Sequence, residues 1–306
     1  MQAPIGPAAT PALAAAVSEA GGIGSLGASW TEPEALRSQL REIRSLTERP
    51  VCVNLVLAFE QEERLEVALA EGVELISFSW GADTRLSARA RAAGAVVAVQ
   101  AGSPAEARAA VDAGCDVVVA QGVEAGGHVQ GEIGILALVG ELSRMLPVPV
   151  LASGGIADAR GVRAATAAGA AGAVIGTRFL ATPEADVHPD WTARLLAASA
   201  ADTVLTGLFD GGWPGAPHRV LRNSTFRRWD EAGRPAAGSR PGEGEVVARH
   251  RDAEIRRYAA DEPRRQTTGD LEAMCLYAGQ GVGLVTAIEP AAEVVSRIAA
   301  ELAEPR

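Results

Sequence analysis

Along the first 180 residues, short apolar runs alternate with segments rich in alanine, arginine and glutamate at helical spacing. This βα rhythm constrains the fold more than any other feature, because it is the pattern of parallel strands joined by crossover helices. The apolar runs fall at 23–26, 51–55, 75–78, 96–99, 117–120, 150–152 and 173–175, and a clipped run at 2–5 would make eight. Helix starts are marked by Thr10-Pro11, Thr31-Glu32-Pro33-Glu34 and Ser103-Pro104-Ala105-Glu106. Helix ends are marked by Ala20-Gly21, Ala93-Gly94, Ala113-Gly114 and Ala168-Gly169, where glycine can adopt a left-handed cap. The reading is α/β, and eight such units close more naturally into a TIM (β/α)8 barrel than an open sheet. A doubly wound sheet would want an early GxGxxG turn, and none follows the first strands.

The rhythm breaks between 183 and 263, where prolines, glycines and three of the five tryptophans, Trp191, Trp213 and Trp229, gather. We expect a barrel from 1–182 and 264–306, with 183–263 a small, mostly helical lid subdomain inserted after the eighth strand. Residues 233–245 read as a mobile loop, and the surroundings of Trp213, Arg219 and Arg222 as the part that shapes the pocket. Helical periodicity returns at 269–278 and 291–302.

Composition removes several function classes. The formal charge, 28 basic against 38 acidic residues, is −10, which argues against a diffuse surface for nucleic acid or anionic membrane. No apolar run reaches membrane length and no basic leader precedes one, so a soluble, cytoplasmic protein is expected. Cys52, Cys115 and Cys275 are far apart and lack a CxxC, so they read as packing residues with neither a metal nor a disulfide framework. The chain has no lysine. Schiff-base chemistry, a pyridoxal phosphate anchor and a Walker-type lysine are thereby excluded, and any phosphate must be held by backbone amides, hydroxyls or arginine.

In a barrel the chemistry sits at the C-terminal ends of strands. There the sequence places Ser153-Gly154-Gly155-Ile156 and Gly176-Thr177, adjacent turns leading into helices, which is the layout of a barrel phosphate site. Asn54, Gln100 and Gln121 end three other strands; neutral amides suit a heterocycle with alternating carbonyls and nitrogens, and equally satisfy strand ends. The stretch Gln121-Gly122-Val123-Glu124-Ala125-Gly126-Gly127-His128 delivers an imidazole directly after an apolar strand through flexible backbone. His188, His218 and His250 lie in the insertion and read as surface or packing residues. Ser153 has no GxSxG elbow, so His128 is favoured as a general base or proton donor over part of a nucleophilic triad.

Taken together, Gln2-Ala3-Pro4-Ile5, Thr10-Pro11, Ala20-Gly21-Gly22-Ile23-Gly24, Asn54, the 121–128 stretch, 153–156, 176–182 and Tyr277-Ala278-Gly279-Gln280 resemble the nitronate monooxygenases, formerly 2-nitropropane dioxygenases. The resemblance spans nearly the whole chain. It implies an FMN-dependent oxidoreductase on a TIM barrel that oxidises alkyl nitronates or nitroalkanes with O2 to carbonyl compounds and nitrite. By the same resemblance, the main chain of Ala3, Pro4 and Ile5 and the side chains of Asn54 and Gln100 face the isoalloxazine. Gly154, Gly155, Gly176 and Thr177 hold the phosphate, Gln121, Gly122, Gly127 and Ser153 complete the cofactor wall, and His128 is catalytic. Two stretches depart from the family pattern: Ile5-Gly6 stands where a methionine usually follows the proline, and Val129-Gln130-Gly131 lengthens the segment after His128. Two other readings stay open, an FMN-dependent enoyl-acyl carrier protein reductase using NAD(P)H and a non-catalytic barrel that binds a phosphate ligand. The oligomeric state is open too, with a homodimer among the options.

Overall fold

A computed structural model describes residues 1–304. All seven full strands foreseen from the apolar runs are present, as β1 (Gly24–Gly27), β2 (Val51–Val56), β3 (Leu75–Ser79), β4 (Val96–Ala101), β5 (Val117–Gln121), then, after a two-residue β6 (Gly127–His128), β7 (Val150–Ser153) and β8 (Gly172–Val174). They form one parallel sheet in the order β1-β2-β3-β4-β5-β7-β8. The helices pack on its outside through stripes at helical spacing, such as Leu36, Leu40 and Ile43 on Pro33–Leu46 and Ile135, Leu138, Val139 and Leu142 on Ile135–Met145. Thr10 and Ser103 cap their helices as the sequence suggests, accepting from Leu13 N and Glu106 N.

The expected eighth strand is a single residue. Gln2 forms a parallel bridge with Ile175, its N–H donates to Ile23 O at 2.9 Å, and Ala3 N and Ile175 N bond across the other side at 2.8 and 2.9 Å. Gln2 therefore stands between β8 and β1 and closes the ring. Pro4 has no N–H to continue the ladder, and the chain turns into a 3-10 segment at Gly6–Ala8. The Gln2 side chain is fully buried and its Oε1 accepts from Ser25 N at 2.7 Å.

The 183–263 segment corrects the expectation of a mostly helical insertion. Beside helices Pro189–Ala197 and Ser224–Glu231 it carries four strands: β9 (Thr203–Thr206), β10 (His218–Leu221), β11 (Val246–His250) and β12 (Ala253–Arg256). These build two antiparallel three-stranded sheets, β6-β10-β9 and β12-β11-β13, where β13 is Thr267–Gly269. The turn-rich 233–245 loop is anchored by Arg240, which pairs with Asp210 at 2.9 Å and lies 4.3 Å over the Tyr258 ring. The helix expected at 269–278 is also corrected: the segment forms one 3-10 turn, Leu271–Ala273, and then runs extended beside β10. Ser224 Oγ, Thr225 Oγ1 and Asn223 Nδ2 donate to the carbonyls of Glu272, Ala273 and Met274 and take the acceptors a helix would use. Helix Ala291–Ala303 forms as expected.

Replacing Gln2 with alanine leaves Ser25 N buried without an acceptor, so the Gln2→Ala variant should lose about 1–3 kcal/mol of stability. Urea denaturation measures this; an unchanged midpoint would show that closure does not depend on the side chain.

Candidate active site

At the C-terminal ends of the strands lies a cavity of about 540 Å³, within the range of small-molecule sites. Ala3, Pro4, Ile5, Asn54, Gln100, Gln121, Gly127, His128, Ser153, Gly154, Gly155, Gly176 and Thr177 all line it. Gly122 does not. It packs behind the wall, where a Cβ would meet Ile135 N at 2.7 Å and Glu124 Oε2 at 2.4 Å, so its role is close packing and not ligand contact.

The loop that carries His128 is fixed from several directions. Gln121 Nε2 donates to His128 O and Gln121 Oε1 accepts from Gln130 N, both at 2.9 Å. The Gln121 amide is thus used at both ends to hold the loop, which makes it a positioning residue although it reaches the cavity wall. Glu124 accepts from Ile135 N and covers the start of the following helix. Arg219, buried, donates through Nε and Nη2 to Val123 O, and β10 pairs with β6 so that His218 faces His128. Arg219 therefore braces the loop, and Arg222 donates to Ala201 O at 2.6 Å on the surface; neither shapes the pocket as expected.

Gln130, in the stretch where the chain departs from the family pattern, is a hub. Its Oε1 accepts from Gln100 Nε2 at 2.7 Å and from Trp80 N at 3.2 Å. Trp80 has φ 60°, a conformation uncommon for a bulky residue, and this bond helps to hold it. Gly131 lets the loop lie against β4's end: a Cβ there would be 2.2 Å from Gly102 O. Asn54 faces the cavity and also donates to Ser77 O at 3.2 Å, so it serves the strand end as well.

His128 stacks on Trp213, with centroids 4.4 Å apart and planes 30° from parallel, and lies near Trp80, His218 and Tyr277. Its Nε2 is buried without a hydrogen-bond partner. Burial, with a smaller push from His218, lowers its pKa to about 3, so the ring is neutral around pH 7. His218 is fully buried; its Nε2 accepts from Phe209 N and its Nδ1 donates to Ala216 O, which fixes one neutral tautomer. His188 instead caps a helix by accepting from Asp190 N, and His250 contacts Thr267.

Beside the 122–126 part of the His128 loop, Gly154 (φ 120°) and Gly155 (φ 68°) turn the chain away from β7, and Thr177 opens a one-turn helix whose first N–H groups have no intrahelical acceptor. Gly279 closes against this side, donating to Thr177 Oγ1 at 2.9 Å. The cradle can take an anion through main-chain donors. Sequence reasoning missed Trp30, Trp80, Gly279 and Glu262 as cavity residues. For Trp80 a signal existed, since it lies two residues beyond the third apolar run, where that strand ends.

Comparison with known proteins places this geometry. The nitronate monooxygenase family model matches residues 1–63 and 56–301. A nitronate monooxygenase of Pseudomonas aeruginosa is 34% identical over 350 aligned residues, covering 99% of this chain and 95% of the relative. Among solved structures, FabK from Thermotoga maritima superposes with a TM-score of 0.81 at 35% identity, over 98% of this chain and 91% of that one. A nitroalkane oxidase from Streptomyces ansochromogenes gives 0.79 at 32% identity, over 99% and 94%.

Both buried imidazoles bind protons more weakly in the folded chain than in the unfolded one. Their contribution to stability is therefore complete above the ordinary histidine pKa of about 6.5 and is lost as pH falls below it, for His128 down to about 3, because the unfolded chain takes up protons first. Denaturation series across this window should show the decline, and a His128→Asn variant a shallower one; an identical slope would mean that His128 is not held neutral.

Proposed function

This chain belongs to the nitronate monooxygenase family, and from that membership we propose that it is an FMN-dependent oxidoreductase that converts nitroalkanes and alkyl nitronates, with O2, to carbonyl compounds and nitrite. The observation that carries the reading is His128: a neutral imidazole with an unpartnered buried Nε2, set in a cavity that a glycine-rich cradle also lines. The residues fit a flavin mononucleotide. Gly154, Gly155, Gly176 and Thr177 would hold its phosphate through main-chain donors and a hydroxyl, without a cationic side chain. The Ala3–Ile5 main chain, Asn54 and Gln100, which all line the cavity, would flank its ring.

Bound FMN supplies the electron acceptance and oxygen reactivity that no side chain here provides. The chain's own part is proton handling. His128 Nε2 accepts the α-proton of a neutral nitroalkane; with so low a proton affinity in the empty site, it does so because the nitronate formed beside it stabilises the imidazolium. Trp213, stacked on the ring, keeps water from this proton. The similarity to FabK supports a second reading, a flavin enzyme reduced by NAD(P)H.

The purified protein should show a flavin absorbance spectrum that bleaches on anaerobic addition of a nitronate and persists with NADPH. Bleaching by NADPH alone would favour the reductase. His128→Asn should keep the flavin and lose roughly 10²–10⁴-fold in turnover of a neutral nitroalkane; unchanged turnover would remove His128 from the mechanism.

A further inference from the structure

We propose that Gln130 is a positioning residue for the flavin: it holds the Gln100 amide so that Oε1 of Gln100 is turned to the cavity, giving the ring a hydrogen-bond acceptor where the opposite orientation would give a donor. This rests on the flavin site proposed above, in which Gln100 flanks the ring.

A side-chain amide carries its donor and its acceptor on atoms of nearly the same shape, so its partners decide which of them a ligand meets. Here the decision starts at Trp80. The main-chain N–H of Trp80 can only donate, and it lies 3.2 Å from the same terminal atom of Gln130 that lies 2.7 Å from the Gln100 amide. That atom must be the oxygen, Oε1, and it calls for a donor from Gln100, which Nε2 supplies. The other end of Gln130 agrees. Its Nε2 is 3.4 Å from Glu106 Oε2, a carboxylate oxygen that also accepts from Gly102 N at 2.7 Å. Among the described residues Gln100 makes no other side-chain hydrogen bond, and it lines the cavity, so its carbonyl oxygen is left for the occupant.

Gln130 is itself held in place. Its N–H donates to Gln121 Oε1 at 2.9 Å, and Gly131 after it lies so close to the end of β4 that a Cβ would be 2.2 Å from Gly102 O. Gln130 belongs to Val129-Gln130-Gly131, the stretch that lengthens the segment after His128, so this control of Gln100 comes with the chain's own departure from the family pattern. Its consequence is electronic. The negative end of a carbonyl dipole beside a flavin ring opposes the charge that reduction adds, whereas an amide N–H favours it.

The test measures the two-electron midpoint potential of bound FMN and, in the flavin-free protein, the hydrogen exchange of the Gln100 side-chain amide by NMR, with the signal assigned by its loss in Gln100→Leu. Gln130→Leu removes the acceptor and lets the Gln100 amide turn; it should shift the flavin equilibrium toward the reduced form by roughly tenfold, about 30 mV, and speed exchange at Gln100 Nε2. Gln130→Glu keeps an oxygen for Trp80 N and Gln100 Nε2 and should leave the potential no higher than in the unaltered protein, a distinction that a merely structural role would not produce. A potential in Gln130→Leu equal to or below the original, the same rise in Gln130→Glu, or Gln100 amide protons that exchange in the unaltered protein as fast as those of an exposed glutamine would overturn the proposal. Should Gln130→Leu fail to fold, the exchange at Gln100 and the Gln130→Glu potential still decide it. A protein that takes up no FMN sinks the proposed function and leaves the exchange to decide the orientation of the amide, whereas bound FMN with an unmoved potential in Gln130→Leu sinks the positioning role alone.

Discussion

The site depends on one side-chain amide. Gln121 ends β5 and spends its donor on His128 O and its acceptor on Gln130 N, so the peptides on both sides of Val129 are fixed to the barrel. An amide carries a donor and an acceptor on separate atoms and so can reach two peptides at once, whereas a carboxylate or an ammonium could do only one. The clamp acts together with the Arg219 and Glu124 contacts to the same loop. In the loop so held, β6 pairs with β10, His128 stacks on Trp213, and Gln130 bonds to Gln100 and Trp80.

Much of the barrel was legible because its strands are local signals. A buried parallel strand is an uninterrupted apolar run, and the Ala-Gly ends and Thr-Pro or Ser-Pro starts delimit the helices between. Strand closure at Gln2 was only half legible, since one residue bridging two strands leaves no periodicity to read. The insertion was misread for a physical reason. Its strands are only four or five residues long; β11 and β12 form a tight hairpin, but β10 pairs with the distant β6 and β11 with β13, and the 272–274 carbonyls are taken by Asn223, Ser224 and Thr225. Apart from that hairpin, none of these contacts is local.

The site divides in the same way. His128 and the paired glycine turns stand at strand ends and could be placed by counting strands. Gln121 was found, but its role was not, because an amide's partners are tertiary. Gln130 looked like a departure from pattern and proved to be a hub. Glu262 was invisible, since nothing in Ala260-Asp261-Glu262-Pro263 announces that the carboxyl will be buried above Gly6.

The resulting cavity works by desolvation more than by charge. His128 is neutral because its surroundings strip water from it, and its Nε2 is open because the loop leaves it no partner. A nitrogen-15 NMR titration of the imidazole signals, with His128 assigned by its loss in His128→Asn, addresses this most directly. The account predicts a neutral His128 ring from pH 8 down to at least pH 5 in the ligand-free protein. An imidazolium signal for His128 at pH 6 would contradict it.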